Sequence, residues 1–164
     1  MAEILDVDPG LAAHVKGLEM PMHDPRAFEG QALTYATCCI GANHEKGNWF
    51  AVEVGNFSYP RLRIKTGKGR FNIKGREKGV AALQDISNIN DSLVVCNFIN
   101  PDFDDIIGCT NSATGFEYGK RELLRVGERI HNIKRLISCN LGITRRLKHT
   151  VTHSSLQQKK RLMS

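Results

Sequence analysis

Between about Glu77 and Phe98 the apolar residues Ala82, Ile86, Ile89, Leu93 and Cys96 recur at steps of four, three, four and three. That spacing keeps one face of an α-helix apolar, whereas a strand alternates its faces every second residue. The pattern repeats from about Tyr118 to Cys139, where Leu123, Val126, Ile130, Ile133 and Ile137 form the stripe and Glu122, Arg125, Glu128, Arg129 and Lys134 the charged outer face. A further helix is predicted from Arg26 to about Ile40 on Phe28, Ala32, Leu33, Ala36 and Cys39 or Ile40, with Gly30 as a close-packing point and Gly41 ending it. The stretch "PDFDDIIGCTNSATGF", residues 101–116, adds a shorter helix. Residues 10–20, "GLAAHVKGLEM", begin a short helix or strand that stops at "PMHDPR", where two prolines bracket an extended turn. Apart from a short strand at Arg61 to Lys65 no alternating ladder is evident. The predicted fold is mainly α and multihelical, with a short irregular or β segment near residues 50–70.

At 164 residues, 41% hydrophobic and 24% charged, the chain can form one domain with a real core. No apolar run approaches the ~20 residues of a membrane span, and the acidic start "MAEILDVDPG" has no signal-peptide core. The expected location is cytoplasmic, with no membrane partner. Five cysteines, odd in number and without a CxxC pair, argue for reduced thiols and against a disulfide framework or a self-contained zinc site. The net charge of +6 sits in the last 21 residues, 144–164, which hold six Lys/Arg and no acid. Residues 1–143 are therefore neutral and read as the folded region, and 144–164 as a basic, disordered tail. A second basic segment, Arg61 to Gly79, carries eight Lys/Arg and one Glu but no phosphate-loop fingerprint, and reads as a solvated loop. With a neutral body and no aromatic residues interleaved in a basic surface, nucleic acid is not the expected partner.

Within "INDSLVVCNF" an aspartate, Asp91, stands five residues before a cysteine, Cys96, on the apolar stripe. From the residues alone, Cys96 reads as a small buried hydrophobe and Asp91 as a solvated acid at a helix end. His44 in "GANHEKGN" reads as an exposed loop histidine, and Asp24 and Arg26 of "HDPR" as a turn closed by an ion pair. His14, His23 and His131 have no supporting constellation.

Three blocks, in order, resemble the tungsten-containing aldehyde ferredoxin oxidoreductases. "HVKGLEMPMHDPRAFEGQALTYATCCIGANH" is similar to that family's VKGLE-P-x-x-DPR, GxxL-x-YAT and RGxxH series. "LQDISNINDSLVVCNF" is similar to its LQD-x-x-x-x-x-DS-x-GLC-x-F segment, and "ATGFEYGKRELLRVGERIHNIKRL" to its ATG-x-x-x-x-x-ELL-x-x-GERI-x-N-x-x-RL segment. The resemblance covers roughly residues 10–143 and corresponds to the C-terminal helical part of a longer polypeptide.

The resemblance implies roles for three residues. Asp91 would accept hydrogen bonds from the amino groups of a tungstopterin ring, since a carboxylate can take two donors lying in one plane. Cys96 would supply one of the four thiolates of a 4Fe-4S cluster. His44 would lie near tungsten as the catalytic histidine, imidazole being able to give or take a proton near neutral pH. Val94 and Val95 replace the family's Gly-Leu, and Ile40 and Asn43 replace its Arg and small or Cys residues. The CxxCxxxC triplet, the first pterin-binding motif and the N-terminal domain have no counterpart in the chain. The resemblance thus implies a fragment or subunit of an aldehyde oxidoreductase, inactive alone, whose partners are the missing N-terminal part and ferredoxin. The alternative is a noncatalytic helical interaction module derived from the same fold.

Overall fold

The architecture, taken from a computed structural model, is described for residues 4, 6, 13–65, 69–71 and 74–143; the basic segment 144–164 lies outside the described residues. The chain opens with a two-residue antiparallel hairpin, β1 (His14–Val15) and β2 (Leu18–Glu19), in which His14 pairs with Glu19 and Val15 with Leu18. Among the described residues five α-helices follow: α1 (Glu29–Thr37), α2 (Trp49–Glu53), α3 (Glu77–Leu93), α4 (Phe103–Thr114) and α5 (Lys120–Asn140). The mainly helical expectation holds. Among the described residues no helix is long and apolar enough to cross a membrane.

Helix α3 is the centre of the molecule, with α1 on one side and α5 on the other. Its Val80, Leu83, Ile86 and Ile89 join Trp49, Val52, Tyr59, Ile64, Phe103, Ile106 and Leu123 in one core. A smaller cluster of Val15, Tyr35 and Ala42 lies under the hairpin. Asp102 starts α4 by accepting from the Asp104 N–H at 3.2 Å, and Gly115, at φ 73°, ends it.

Several details depart from the expectation. Helix α1 is shorter than Arg26–Ile40 and buries Gly30, Gln31, Thr34 and Tyr35, not the apolar stripe. Their bonds are partial: Gln31 Oε1 accepts from the Phe50 N–H at 2.8 Å, Thr34 Oγ1 donates to the Gly30 carbonyl at 3.1 Å and Gln84 Nε2 to the Thr34 carbonyl at 3.1 Å, while Gln31 Nε2 is buried without a hydrogen-bond partner among the described residues. Gly41 does not end α1; at φ 112° it lies under the Val15 carbonyl, with no room for a side chain. Helix α2 was not anticipated, and the strand expected at Arg61–Lys65 is a 3-10 turn, Pro60–Leu62, with a single bridge between Tyr59 and Ile64.

Helix α5 departs most informatively. Leu123, Gly127 and Ser138 are its buried residues, with His131 and Lys134 between them on the same side, while Ile133 and Ile137 of the apolar stripe are exposed. Contact with α3 is close because Gly127 has no side chain: a Cβ there would lie 2.5 Å from the Asp85 carbonyl oxygen. Lys134, expected on the charged outer face, turns inward and donates to Asn88 Oδ1 at 2.7 Å.

Candidate functional site at the C-terminal end of helix α3

Of the three residues singled out by sequence, Asp91 and Cys96 lie at the C-terminal end of α3, whereas the His44 ring contacts His23, Phe50 and Glu45. Asp91 lies in the last turn of that helix. Cys96 follows the helix by three residues and opens the 3-10 turn Asn97–Ile99. His44 belongs to the 41–48 turn, which reaches the same helix end through Lys46.

The carboxylate of Asp91 has two cationic neighbours. Lys46 Nζ donates to its Oδ2 at 2.5 Å and Lys134 Nζ to the same oxygen at 3.4 Å. Asp91 is thus a partly buried acid tied to two other segments, rather than a solvated helix end. A planar donor edge needs both carboxylate oxygens, and Oδ2 already carries two ammonium groups. Asp91 as arranged therefore does not fit a pterin edge.

Cys96 is exposed, which corrects its placement on the buried stripe. The helix stops at Leu93, before the pattern reaches the cysteine, because Val94 takes left-handed dihedrals of φ 58° and ψ 34°. The turn beyond is fixed by the Val95 N–H on the Asn90 carbonyl at 2.9 Å and by Asn90 Nδ2 on Asn97 Oδ1 at 3.1 Å. Tyr59 O–H anchors its far end on Asn100 Oδ1 at 2.5 Å. Cys96 can offer one thiolate. Among the described residues no three His, Cys, Asp or Glu side chains converge as a metal-binding group, so a 4Fe-4S cluster does not fit this chain by itself.

His44 is partly buried, with Nε2 2.9 Å from Glu45 Oε1. Its turn is shaped by Asn43, whose Oδ1 accepts from the Glu45 N–H at 2.9 Å, and by the Asn48 N–H on the His44 carbonyl at 2.7 Å. The ring packs edge-on against His23, centroids 4.5 Å apart, and His23 stacks on Phe50 at 3.6 Å. Burial, then the neighbouring His44, push the His23 pKa down, while Glu45 acts the other way. Tyr35 O–H holds the His23 carbonyl at 2.9 Å. Arg26 and Asp24 form the expected pair, Nε lying 3.0 and 2.9 Å from Oδ1 and Oδ2, and this bond from Arg26 holds the Asp24 carboxyl below its usual range.

His23, Glu45, Lys46 and Lys134 are the residues that sequence reasoning missed. Each is an ordinary surface type, and only the fold places it against His44 or Asp91. Cys38 and Cys39 are buried beside the same region. The Cys38 thiol bonds to Cys39 and, with Lys134 and Lys46 nearby, draws the Cys39 pKa down to about 6, while that bond and burial push Cys38 up.

The family described as "Aldehyde ferredoxin oxidoreductase, domains 2 & 3" matches residues 1–161. The tungsten-containing aldehyde ferredoxin oxidoreductase of Pyrococcus furiosus is 31% identical over 137 residues, 82% of this chain and 22% of the relative. Its counterpart from Thermococcus kodakarensis is 30% identical over the same length and shares. The enzyme of that name from Pyrococcus horikoshii is 30% identical over 131 residues, 79% of this chain and 21% of the relative. The chain therefore spans about a fifth of the length of the relatives it matches.

Proposed function

Because this chain belongs to the aldehyde ferredoxin oxidoreductase family, through the region formed by domains 2 and 3, we propose that it is the C-terminal helical part of an aldehyde:ferredoxin oxidoreductase and works only with the rest of such an enzyme. The complete enzyme would oxidise an aldehyde to a carboxylic acid at a tungstopterin and pass electrons through a 4Fe-4S cluster to ferredoxin, in the cytoplasm. Residues 1–143 would be the folded contribution and 144–164 an appended basic tail. The reading is supported by the match of the family's domains 2 and 3 to residues 1–161, with Asp91 and Cys96 at the C-terminal end of α3 and Lys46 of the His44 turn reaching the same end.

The chain's own groups have distinct tasks in this reading. Cys96, exposed on a braced turn, supplies one thiolate to a cluster whose other ligands come from outside the chain. His44 holds or moves a proton at Nε2, and Glu45 at 2.9 Å fixes that nitrogen as the donor. Its edge contact with His23 restricts the ring. The apolar residues around the site, Val94 at 92% and Phe98 at 75% exposure, form a surface for the missing part to cover.

A noncatalytic module is the second reading, and one observation favours it: the Asp91 carboxylate is occupied by the chain's own lysines. Co-expression separates the two. The chain is produced with the N-terminal part of a family enzyme and assayed for aldehyde-dependent reduction of a viologen dye. Activity that disappears with Cys96→Ser and falls at least tenfold with His44→Ala supports the enzyme reading. A stable complex without any such activity supports the module.

A further inference from the structure

Immediately after α1 two cysteines stand side by side, Cys38 and Cys39, both buried at 1% and 4% exposure. Their side chains meet, the Cys38 thiol donating to the Cys39 sulfur. Cations surround the pair. Lys134 and Lys46 both favour negative charge on Cys39. Lys16, itself buried, reaches the pair from the hairpin, its Nζ donating to the Cys38 carbonyl and, at 3.1 Å, to that of Ala36. A thiol in such a positive field favours the thiolate, the nucleophilic form of cysteine. Ile40, the next residue, is 41% exposed, so the pair lies one residue from the surface, open to a water-sized oxidant and closed to a bulky alkylating reagent.

We propose that Cys38 and Cys39 are a peroxide-sensitive redox site: hydrogen peroxide converts the two thiols to a vicinal disulfide, and closing that bond loosens the β1–β2 hairpin through Lys16. The Cys39 thiolate attacks one peroxide oxygen and the O–O bond breaks. A sulfenic acid forms on Cys39, and the other oxygen leaves as hydroxide, which takes up the thiol's proton to give water. The Cys38 sulfur then displaces the sulfenic hydroxyl, which departs with the Cys38 proton as a second water. Two thiols are oxidised and one peroxide is reduced. Consecutive Cα atoms are about 3.8 Å apart, short of the roughly 4.4–6.8 Å that disulfides usually span, so the bond is strained and easily reduced, as a reversible switch requires. The strain falls on the peptide between the two residues, whose oxygen is the Cys38 carbonyl held by Lys16. Turning that peptide takes an acceptor from Lys16, which lies between β1 and β2 at φ 54°. The proposal is independent of the enzyme reading above.

The test exposes the full chain to hydrogen peroxide, quenches it, alkylates it in denaturant and digests it with trypsin. The peptide bearing both cysteines should be lighter by two hydrogens and carry no alkyl group, and dithiothreitol should restore both alkylation sites. Amide hydrogen exchange at residues 13–20 should be at least about threefold quicker in the oxidised chain, the mark of a local opening. Lys16→Met keeps the stem without the ammonium and should show the quick exchange before and after peroxide. Cys38→Ser should stop at a Cys39 sulfenic acid that dimedone traps; the wild-type peptide decides the matter if that variant does not fold. Cys38 and Cys39 that stay fully alkylatable at a dose oxidising Cys96 and Cys109, or a disulfide joining either of them to Cys139, overturn the redox site. A vicinal disulfide with unchanged exchange in the hairpin overturns the coupling through Lys16, and the switch with it.

Discussion

The indole of Trp49 fills the space that any side chain on Gly30 would need, a Cβ there overlapping Cδ1 and Nε1. Its far edge lies against Gly79, where a Cβ would come within 2.7 Å of Cη2. One aromatic ring thus pins α1 to α3 through two glycines. Gly30→Ala should therefore destabilise the fold by about 1–3 kcal/mol through overpacking. Gly108→Ala, in α4 with open space around it, should stabilise by about 0.5–1 kcal/mol. Urea unfolding curves of the two variants measure both. Equal stability of Gly30→Ala and wild type would remove the ring from its place between the helices.

Val94→Gly should stabilise the chain. Val94 ends α3 in the left-handed region at φ 58°, where a β-branched side chain is strained by about 1–2 kcal/mol, and it is 92% exposed, so little packing is lost. Subtracting glycine's greater unfolded-state freedom, ~0.5–1 kcal/mol, leaves a gain of up to about 1 kcal/mol. Calorimetry reads this as a rise in Tm. A fall would mean that the Val94 side chain contributes packing that its exposure denies.

How much of this was legible in the sequence depends on which residue carried the signal. The step pattern of Ile86 and Ile89 located α3, because a helix that is central buries its stripe. In α1 the same logic chose the wrong face: Gln31 Oε1 and the Thr34 carbonyl find partners distant in sequence, Phe50 and Gln84, and periodicity sees no partners. In α5 the stripe was real but its destination was not, since α3 approaches along Leu123, Gly127 and Ser138. The candidate residues were legible in two motifs, one carrying His44 and one carrying Asp91 and Cys96. The electrostatics of the site were not, because Lys46 and Lys134 meet Asp91 only across the fold.

The Asp85 contribution to stability should fall as pH rises from roughly 4 to about 7, the value to which burial, then Glu128, push its carboxyl, while His23 and His131, whose pKa values burial lowers, contribute in the opposite direction. The sign follows from proton counting. Across that interval the native state holds a proton on Asp85 that the unfolded chain has released, so the unfolded state binds fewer protons and unfolding is favoured by raising pH. Glu53, also raised mainly by burial, acts in the same direction. Asp85→Asn should remove this contribution from the slope in a series of chemical melts from pH 4.5 to pH 7.5. A slope untouched by the substitution assigns the effect elsewhere.

Brief treatment with a maleimide under native conditions should label Cys96, Cys109 and Cys139, which are exposed, and spare Cys38 and Cys39, which are buried. The experiment is sharp for Cys39, whose pKa the bond from Cys38 draws down, favouring the reactive thiolate if the residue is reached. Intact mass should show three adducts on the folded chain and five after denaturation. Early labelling of Cys39 would show that the 38–41 turn opens on its own.

The stripe that α5 turns away from α3 predicts how the isolated chain behaves. Ile133, Leu136, Ile137 and Leu141 are between 50% and 76% exposed, and Phe98 and Ile99, at 75% and 71%, add apolar surface near the site. Wet apolar area forgoes about 25 cal/mol for each Å², so roughly 300 Å² amounts to on the order of 7 kcal/mol, comparable with the ~5–15 kcal/mol of an entire fold. On the proposed reading, the remainder of the enzyme would cover that surface, since the chain spans 22% of the relative's length. Alone, it should bind a hydrophobic dye and self-associate, and co-expression with the N-terminal part should suppress both. Ile137→Gln should weaken dye binding and association without lowering Tm, because the side chain is 54% exposed. A monodisperse monomer with a sharp, high-temperature transition and no dye binding would mean that the surface is closed by the chain itself. The noncatalytic module would then be the better account of the molecule.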